Sequence, residues 1–249
     1  MLEIKNLNLS FNIGLEDKKI FSNLNLHVRP EEFVIVIGGN GTGKSTLMNL
    51  ISGSIFPDSG QIFIDKKDVT YCPEYKRAKY IGHLFQLPLK GTAPNMTIEE
   101  NLSLAMLRNK KRTLKLCVNK NNREFFREKL LELDLNLEDR LTTKIGVLSG
   151  GQRQAVTLLM ATFSEPKILI LDEHTAALDP STSEKILELT NKIVEEKKIT
   201  TIMITHNLED ALRFGTRIIM LTNNNIVLDL SGEEKQNLNM EYLYKLFHS

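Results

Sequence analysis

The sequence predicts an α/β fold, a parallel sheet with helices on both of its faces. Three observations predict it. The largely apolar runs Phe33-Val34-Ile35-Val36-Ile37, Ile168-Leu169-Ile170-Leu171, 201–205 and 218–221 read as strands buried on both sides. Segments with helical spacing lie between them, and alternating strand and helix patterns are how such sheets are built. The first run ends in Gly38-Gly39 and the second in Asp172-Glu173, so each is punctuated where a strand hands over to a loop.

Taken in order, the opening reads as β. Leu24, Leu26 and Val28 alternate with polar residues, as in a half-buried strand, while the first ten residues alternate less cleanly. Residues 44–52 place Leu47, Leu50 and Ile51 at i, i+3 and i+4, one face of a helix. Thr97-Ile98-Glu99-Glu100 has the form of a capping box, and from about Thr97 to Thr162 the patterns are helical without a strand. Residues 90–160 therefore read as a helical insert. Asp179-Pro180 supplies an N-cap with proline at the first helical position, before Ile186, Leu189 and Ile193 on one face. After Ser231 the chain ends on a short amphipathic stretch around Tyr242-Leu243-Tyr244-Lys245-Leu246-Phe247.

The chain has 249 residues, enough to bury a core without staples. Its 32 Lys and Arg against 31 Asp and Glu leave a net charge of +1, which gives no electrostatic footprint for nucleic acid. Cys72 and Cys117 match no metal-ligand spacing and are expected to be ordinary reduced cysteines. No apolar run reaches the ~18–20 residues of a membrane span. The opening MLEIKNLNLS lacks the basic flank and apolar run of a secretory signal, so a cytoplasmic location is expected.

Gly38-Gly39-Asn40-Gly41-Thr42-Gly43-Lys44-Ser45 fits G-x-x-x-x-G-K-[ST] and lies between a buried strand and a helix. Glycines let backbone N–H groups curl around phosphate oxygens, and the helix N-terminus adds partial positive charge. Gly38, Asn40, Gly41, Thr42, Gly43 and Thr46 are expected to contact the phosphates with Lys44, and the Ser45 hydroxyl to meet Mg²⁺. At the end of a buried strand, Asp172 is placed to hold Mg²⁺ and Glu173 to act as general base. Leu148-Ser149-Gly150-Gly151-Gln152 opens an apolar helix and reads either as an N-capped start or as a second anion site.

LSGGQ together with the phosphate loop resembles the ATP-binding subunit of ABC transporters, and the stretches GHLFQLPLKGTAPNMTIEENL (82–102) and LLMATFSEPKILILDEHTAALDP (158–180) resemble a bacterial importer subgroup that works with a substrate-binding lipoprotein. Further motifs follow in the family's order: Gln86 in His83-Leu84-Phe85-Gln86 resembles its Q-loop, Ala177-Leu178-Asp179 its D-loop, and His206 its switch histidine. Phe11 stands roughly where the family keeps an aromatic for stacking adenine. The resemblance spans residues 2–232 and implies a P-loop NTPase of the ABC ATPase type. That type has a mostly parallel central sheet, an N-terminal antiparallel β subdomain and an inserted helical subdomain. It implies a single domain over 1–249, with 1–89 and 163–249 as the α/β core and 90–162 as the helical subdomain.

By the same resemblance, Glu173, His206 and Gln86 are catalytic, and Ser45, Gln86 and Asp172 hold Mg²⁺. Ser149, Gly150, Gly151, Gln152 and Asp179 serve the ATP of a partner subunit, two chains sandwiching two nucleotides. The expected partners are a second ATPase subunit, an integral membrane permease and, indirectly, an extracytoplasmic substrate-binding protein, at the cytoplasmic face of the membrane. The implied cargo is an amino acid or similar small solute, aromatic ones included. Two alternatives stand beside this reading: the ATPase subunit of an exporter, and a soluble ABC-type ATPase acting on DNA or ribosomes. Relatives that act on DNA separate the phosphate loop from LSGGQ by long coiled coils or zinc modules, whereas Lys44 and Gly150 are only 106 residues apart with no heptads between them; relatives that act on ribosomes carry two ATPase domains in one chain, and this sequence shows one. One departure is His174, where the family commonly has proline. It reads as a tolerated loop substitution, as a titratable neighbour that tunes Glu173, or as a contact across the dimer. The basic stretch 108–129 reads as a solvated helical surface, or as a face for the permease or an anionic leaflet.

Overall fold

The computed structural model describes residues 1–13, 16–108 and 118–247. In chain order its elements begin with β1 (Leu2–Ile13), β2 (Glu16–Val28), β3 (Phe33–Ile37), α1 (Lys44–Ser52), β4 (Ser59–Ile64), β5 (Lys67–Asp68), α2 (Glu74–Arg77) and β6 (Ile81–Leu84). Then come α3 (Ile98–Met106), α4 (Lys120–Leu131), α5 (Gly150–Thr162), β7 (Ile168–Asp172) and α6 (Pro180–Lys197). The chain closes with β8 (Thr200–Ile204), α7 (Leu208–Arg213), β9 (Arg217–Thr222), β10 (Asn225–Ser231), α8 (Glu233–Gln236) and α9 (Met240–Phe247). Two compact units result, one of Met1–Ile81 with Lys198–Ser249, the other of Gly82–Lys197.

The first unit holds an antiparallel sheet in the order β2-β1-β4-β5 and the strands β10-β9-β3-β8. In β2 the predicted alternation is present: Leu24, Leu26 and Val28 are buried while Asn25 and His27 face solvent. β3 runs parallel to both its neighbours, with Ile35 opposite Met203 of β8 and Ile218 of β9. Every residue of β3 and β8 is buried, which is why these strands read as continuous apolar runs rather than alternations. α1 turns Leu47, Met48, Leu50 and Ile51 inward.

The last carbonyls of α1 are met by a buried arginine. Arg77 is fully buried and donates to Leu50 O at 2.6 Å, Ile51 O at 2.8 Å, Thr70 O at 2.8 Å and Cys72 O at 2.7 Å. Burial pulls its pKa down to about 10, so the guanidinium stays charged at neutral pH against the negative end of the helix dipole. Cys72 is a free, partly exposed cysteine; Cys117 lies outside the described residues.

In the second unit β6 and β7 are hydrogen-bonded neighbours. Its core gathers Ile98 and Leu102 of α3, Phe126 and Leu130 of α4, Val156 of α5 and Ile186 of α6. α3 starts with a capping box: Thr97 Oγ1 accepts from Glu100 N at 3.3 Å, and the Glu100 carboxylate accepts from Thr97 N at 2.7 Å. Within the basic stretch, Arg123 makes a bidentate pair with the buried Glu99, and Arg127 and Lys129 pair with Asp139 and Glu132. Those three cations are thus answered by acids of their own chain, while residues 109–117 lie outside the described residues. Among the described residues no helix is long and apolar enough to cross a membrane.

His83 in β6 packs at a tilt against Phe85 with 4.1 Å between ring centroids, and neither of its ring nitrogens has a hydrogen-bond partner among the described residues. Burial lowers its pKa from 6.5 to about 4. The folded state therefore holds the neutral ring, and the unfolded chain takes up the proton first as pH falls. Stability that is present above pH ~6.5 drains away towards pH ~4, with a loss of about 2 kcal/mol from this one ring by pH 5. Urea unfolding at pH 7 and pH 5 should show that loss in the wild type, reduced by the same amount in His83→Phe. Parallel losses in the two proteins would show that the imidazole is hydrated.

Candidate active site

In the first unit, β3 delivers the chain into Gly38 and α1 resumes it at Lys44. Gly43, the residue before α1, has φ 97° and lies over Phe21, whose ring carbon would stand 2.9 Å from an added Cβ. Both the left-handed backbone and the close ring demand glycine there. The Lys44 ammonium is held inside the loop, donating to Gly38 O and Gly39 O at 2.8 Å each. Thr42 Oγ1 braces the turn by donating to Gly39 O at 2.9 Å. α1 has no side-chain cap and no acid in its first turn, so its N-terminal N–H groups are presented to an anion. Loop, lysine and helix end form a donor set suited to a polyphosphate. Ser45 is exposed in the first turn of α1, Asn40 is exposed on the loop, and Thr46 is half-buried.

His206 stands at the same end of these strands. Val36 pairs with Ile204, and Thr205 N donates to Val36 O at 3.2 Å, so β3 enters its glycine loop alongside the exposed His206. Ligands of such sheets bind beyond the carboxyl ends of the strands. Phe11 is 39% exposed in β1, opposite Lys18, and is not part of the core.

In the second unit Asp172 ends β7 and Glu173 follows with φ 44°, a left-handed conformation rare for a glutamate. Gln86 lies just beyond β6 and its Nε2 donates to Glu173 Oε2 at 3.4 Å. Two residues 87 apart in sequence are thus brought together at the ends of neighbouring strands. His174 is 2% exposed and turned inward, and burial lowers its pKa to about 4. It is neutral at physiological pH and does not titrate beside Glu173 there.

Ser149 caps α5: its Oγ accepts from Gln152 N at 3.2 Å, and Gln152 Oε1 accepts from Ser149 N at 3.3 Å. The capped-start reading of LSGGQ therefore describes these side chains within their own chain. An added Cβ on Gly151 would fall 2.2 Å from the Thr182 methyl of α6, so glycine is what lets α5 approach the start of α6. Gly150 packs the same way, against Leu178. Asp179 caps α6, its Oδ1 accepting from Thr182 N at 3.0 Å and from Ser181 Oγ at 2.8 Å. Hydrogen bonds from the Thr182 and Ser181 side chains, together with that from Thr182 N, hold its carboxyl down to about 2. Gly150 and Gly151 thus lie against Leu178 and Thr182 within one chain. Sequence reasoning missed the partner of His174, Thr190, and the cap on α1, Arg77. Neither has a local signal, because one sits in an ordinary helical stretch and the other in the charged run Lys76-Arg77-Ala78-Lys79.

The family model described as ABC transporter matches residues 21–176. The tyrosine transport ATP-binding protein of Clostridioides difficile is 50% identical over 249 residues, covering 99% of this chain and 98% of that protein. The choline transport ATP-binding protein OpuBA of Bacillus subtilis is 33% identical over 91% of this chain and 56% of its own length. Among solved structures, the dimeric post-hydrolysis state of the ATP-binding cassette MJ0796 bound to ADP and Pi matches with a TM-score of 0.78. It is 31% identical, over 93% of this chain and 98% of that one. The chain belongs to the ABC transporter family, as an ATP-binding subunit of the kind that hydrolyses ATP. Members of this family bind ATP, generally with Mg²⁺, dimerise as cassettes and work with membrane components.

Proposed function

We propose that this chain is the ATPase subunit of a bacterial importer for an amino acid, tyrosine or a close relative, and that it lies on the cytoplasmic face of the membrane. The observation that carries the hydrolytic part is the contact between Gln86 and Glu173. The cargo class rests on the relative named for tyrosine transport, whose similarity runs from end to end. Lys44 and the backbone of the glycine loop bind the β- and γ-phosphates, with Gly38, Asn40, Gly41, Thr42, Gly43 and Thr46 as the loop's contacts. Ser45, Asp172 and Gln86 offer hydroxyl, carboxylate and amide oxygens, the hard donors that Mg²⁺ prefers. The metal, when bound, supplies positive charge against the phosphates. Glu173 accepts the proton of the attacking water, and His206 and Gln86 sense the γ-phosphate. Ser149, Gly150, Gly151, Gln152 and Asp179 meet the nucleotide of a second copy. Hydrolysis thereby becomes conditional on dimer closure, which drives a separate permease fed by an extracytoplasmic binding protein.

Phe11 is proposed to stack on the base. Phe11→Ala should weaken ATP binding by on the order of 1–3 kcal/mol in calorimetry. An unchanged affinity would remove Phe11 from the site.

The test of the whole reading is to tag the chain in its native cell and purify it gently from detergent-solubilised membranes. A multi-span permease and a lipid-anchored binding protein are expected to accompany it, and labelled tyrosine uptake should fall when the chain is deleted. Recovery in the soluble fraction alone, with ribosomal or DNA-bound partners, would overturn it.

A further inference from the structure

The turn that carries Glu173 is tied to α6 by a hydrogen bond whose direction can be settled. The Thr190 hydroxyl lies 2.7 Å from Ile186 O, and a carbonyl can only accept, so the single Thr190 proton is spent there. His174 Nε2 is 3.3 Å from the same Thr190 oxygen, which is left only as an acceptor. The ring must therefore carry its proton on Nε2 and donate it to Thr190. Both side chains are buried, His174 at 2% and Thr190 at 1% exposure, so water does not compete for either. A second tie lies one residue on, where Ser183 Oγ of α6 donates to Thr175 O at 2.9 Å. Between these ties and the end of β7, Glu173 holds its φ of 44°. A glutamate in that region persists only where its surroundings over-determine it, at a cost of about 1–3 kcal/mol.

We propose that His174 is a positioning residue for ATP hydrolysis: through Thr190 it anchors the turn that keeps Glu173 in its left-handed conformation, with its carboxylate at Gln86. The proposal rests on the reading of Glu173 as the base. It concerns where the carboxylate sits rather than how tightly ATP is held.

The test compares His174→Gln, which keeps a donor at a similar reach, with His174→Leu, which keeps only apolar bulk, and with Thr190→Val, which removes the acceptor at nearly constant volume. Steady-state ATPase kinetics and thermal unfolding are measured for each, beside Glu173→Gln. His174→Leu and Thr190→Val are expected to lower kcat about tenfold with KM for MgATP within about twofold. The double variant should be no worse than either single, and His174→Gln should stay within about threefold of the wild type. Wild-type kcat in His174→Leu or Thr190→Val, or equal losses in His174→Leu and His174→Gln, would overturn the proposal, because the ring would then only fill space. Glu173→Gln separates the two levels. If it hydrolyses ATP at the wild-type rate, the reading of the base itself fails. If it is inactive while His174→Leu is fully active, only the role of His174 fails.

Discussion

Glu173→Gln is expected to lower kcat for ATP by about 10²–10⁴-fold while the affinity for MgATP changes by less than about threefold. The substitution keeps the size of the side chain and can keep its contact with the Gln86 amide nitrogen, now 3.4 Å from Glu173 Oε2. What it removes is a basic carboxylate oxygen that can take a proton. Nothing in the phosphate loop changes, because Lys44 and its partners Gly38 and Gly39 belong to another segment. The loss should therefore fall on kcat alone, the signature of an interaction made in the transition state. Blocked hydrolysis should also let the ATP-bound dimer accumulate, visible by light scattering at saturating MgATP. A residual kcat within tenfold of the wild type would mean that another group takes the proton.

The parts of this site that could be read from the sequence are those whose physics is local. A glycine loop between a buried strand and a helix, or two acids after an apolar run, declares itself within ten residues. The helix caps at Thr97, Ser149 and Asp179 were legible for the same reason, since a cap and the N–H that donates to it lie within three residues. The hairpin of β4 and β5 was not, because β4 opens on the exposed Ser59 and Gln61 and β5 has only two residues. The direction of His174 was invisible too. Its place beside Glu173 was plain, but whether it faced outward to titrate or inward to bond depended on Thr190, 16 residues away on a helix. Arg77 is the extreme case, since its acceptors are backbone carbonyls up to 27 residues distant, which carry no sequence identity at all.

That same feature makes Arg77→Met the substitution with the largest expected effect on stability. Replacing a buried ion pair by apolar residues can be neutral because both charged partners go. Here the partners of the guanidinium are the carbonyls of Leu50, Ile51, Thr70 and Cys72, and no mutation removes them. A buried acceptor that loses a charged donor costs about 1–3 kcal/mol, and partial relaxation keeps the sum near 3–5 kcal/mol. At roughly 2–4 °C per kcal/mol for a chain of this size, Tm should fall by about 10 °C. Arg77→Lys retains the charge but offers donors from one nitrogen only, and should recover part of the loss. α1 is nine residues long and presents Lys44 at its opposite end, so MgATP tests whether damage at one end reaches the other. Saturation to 100 times Kd adds about 2.7 kcal/mol to any protein with an intact site. That increment is expected to be equal in the wild type and in Arg77→Met, because the loop's own bonds to Lys44 and Thr42 do not involve Arg77. A smaller increment in the variant would show that the cap also shapes the phosphate loop, and a loss below about 1 kcal/mol would show that water replaces the guanidinium at those carbonyls.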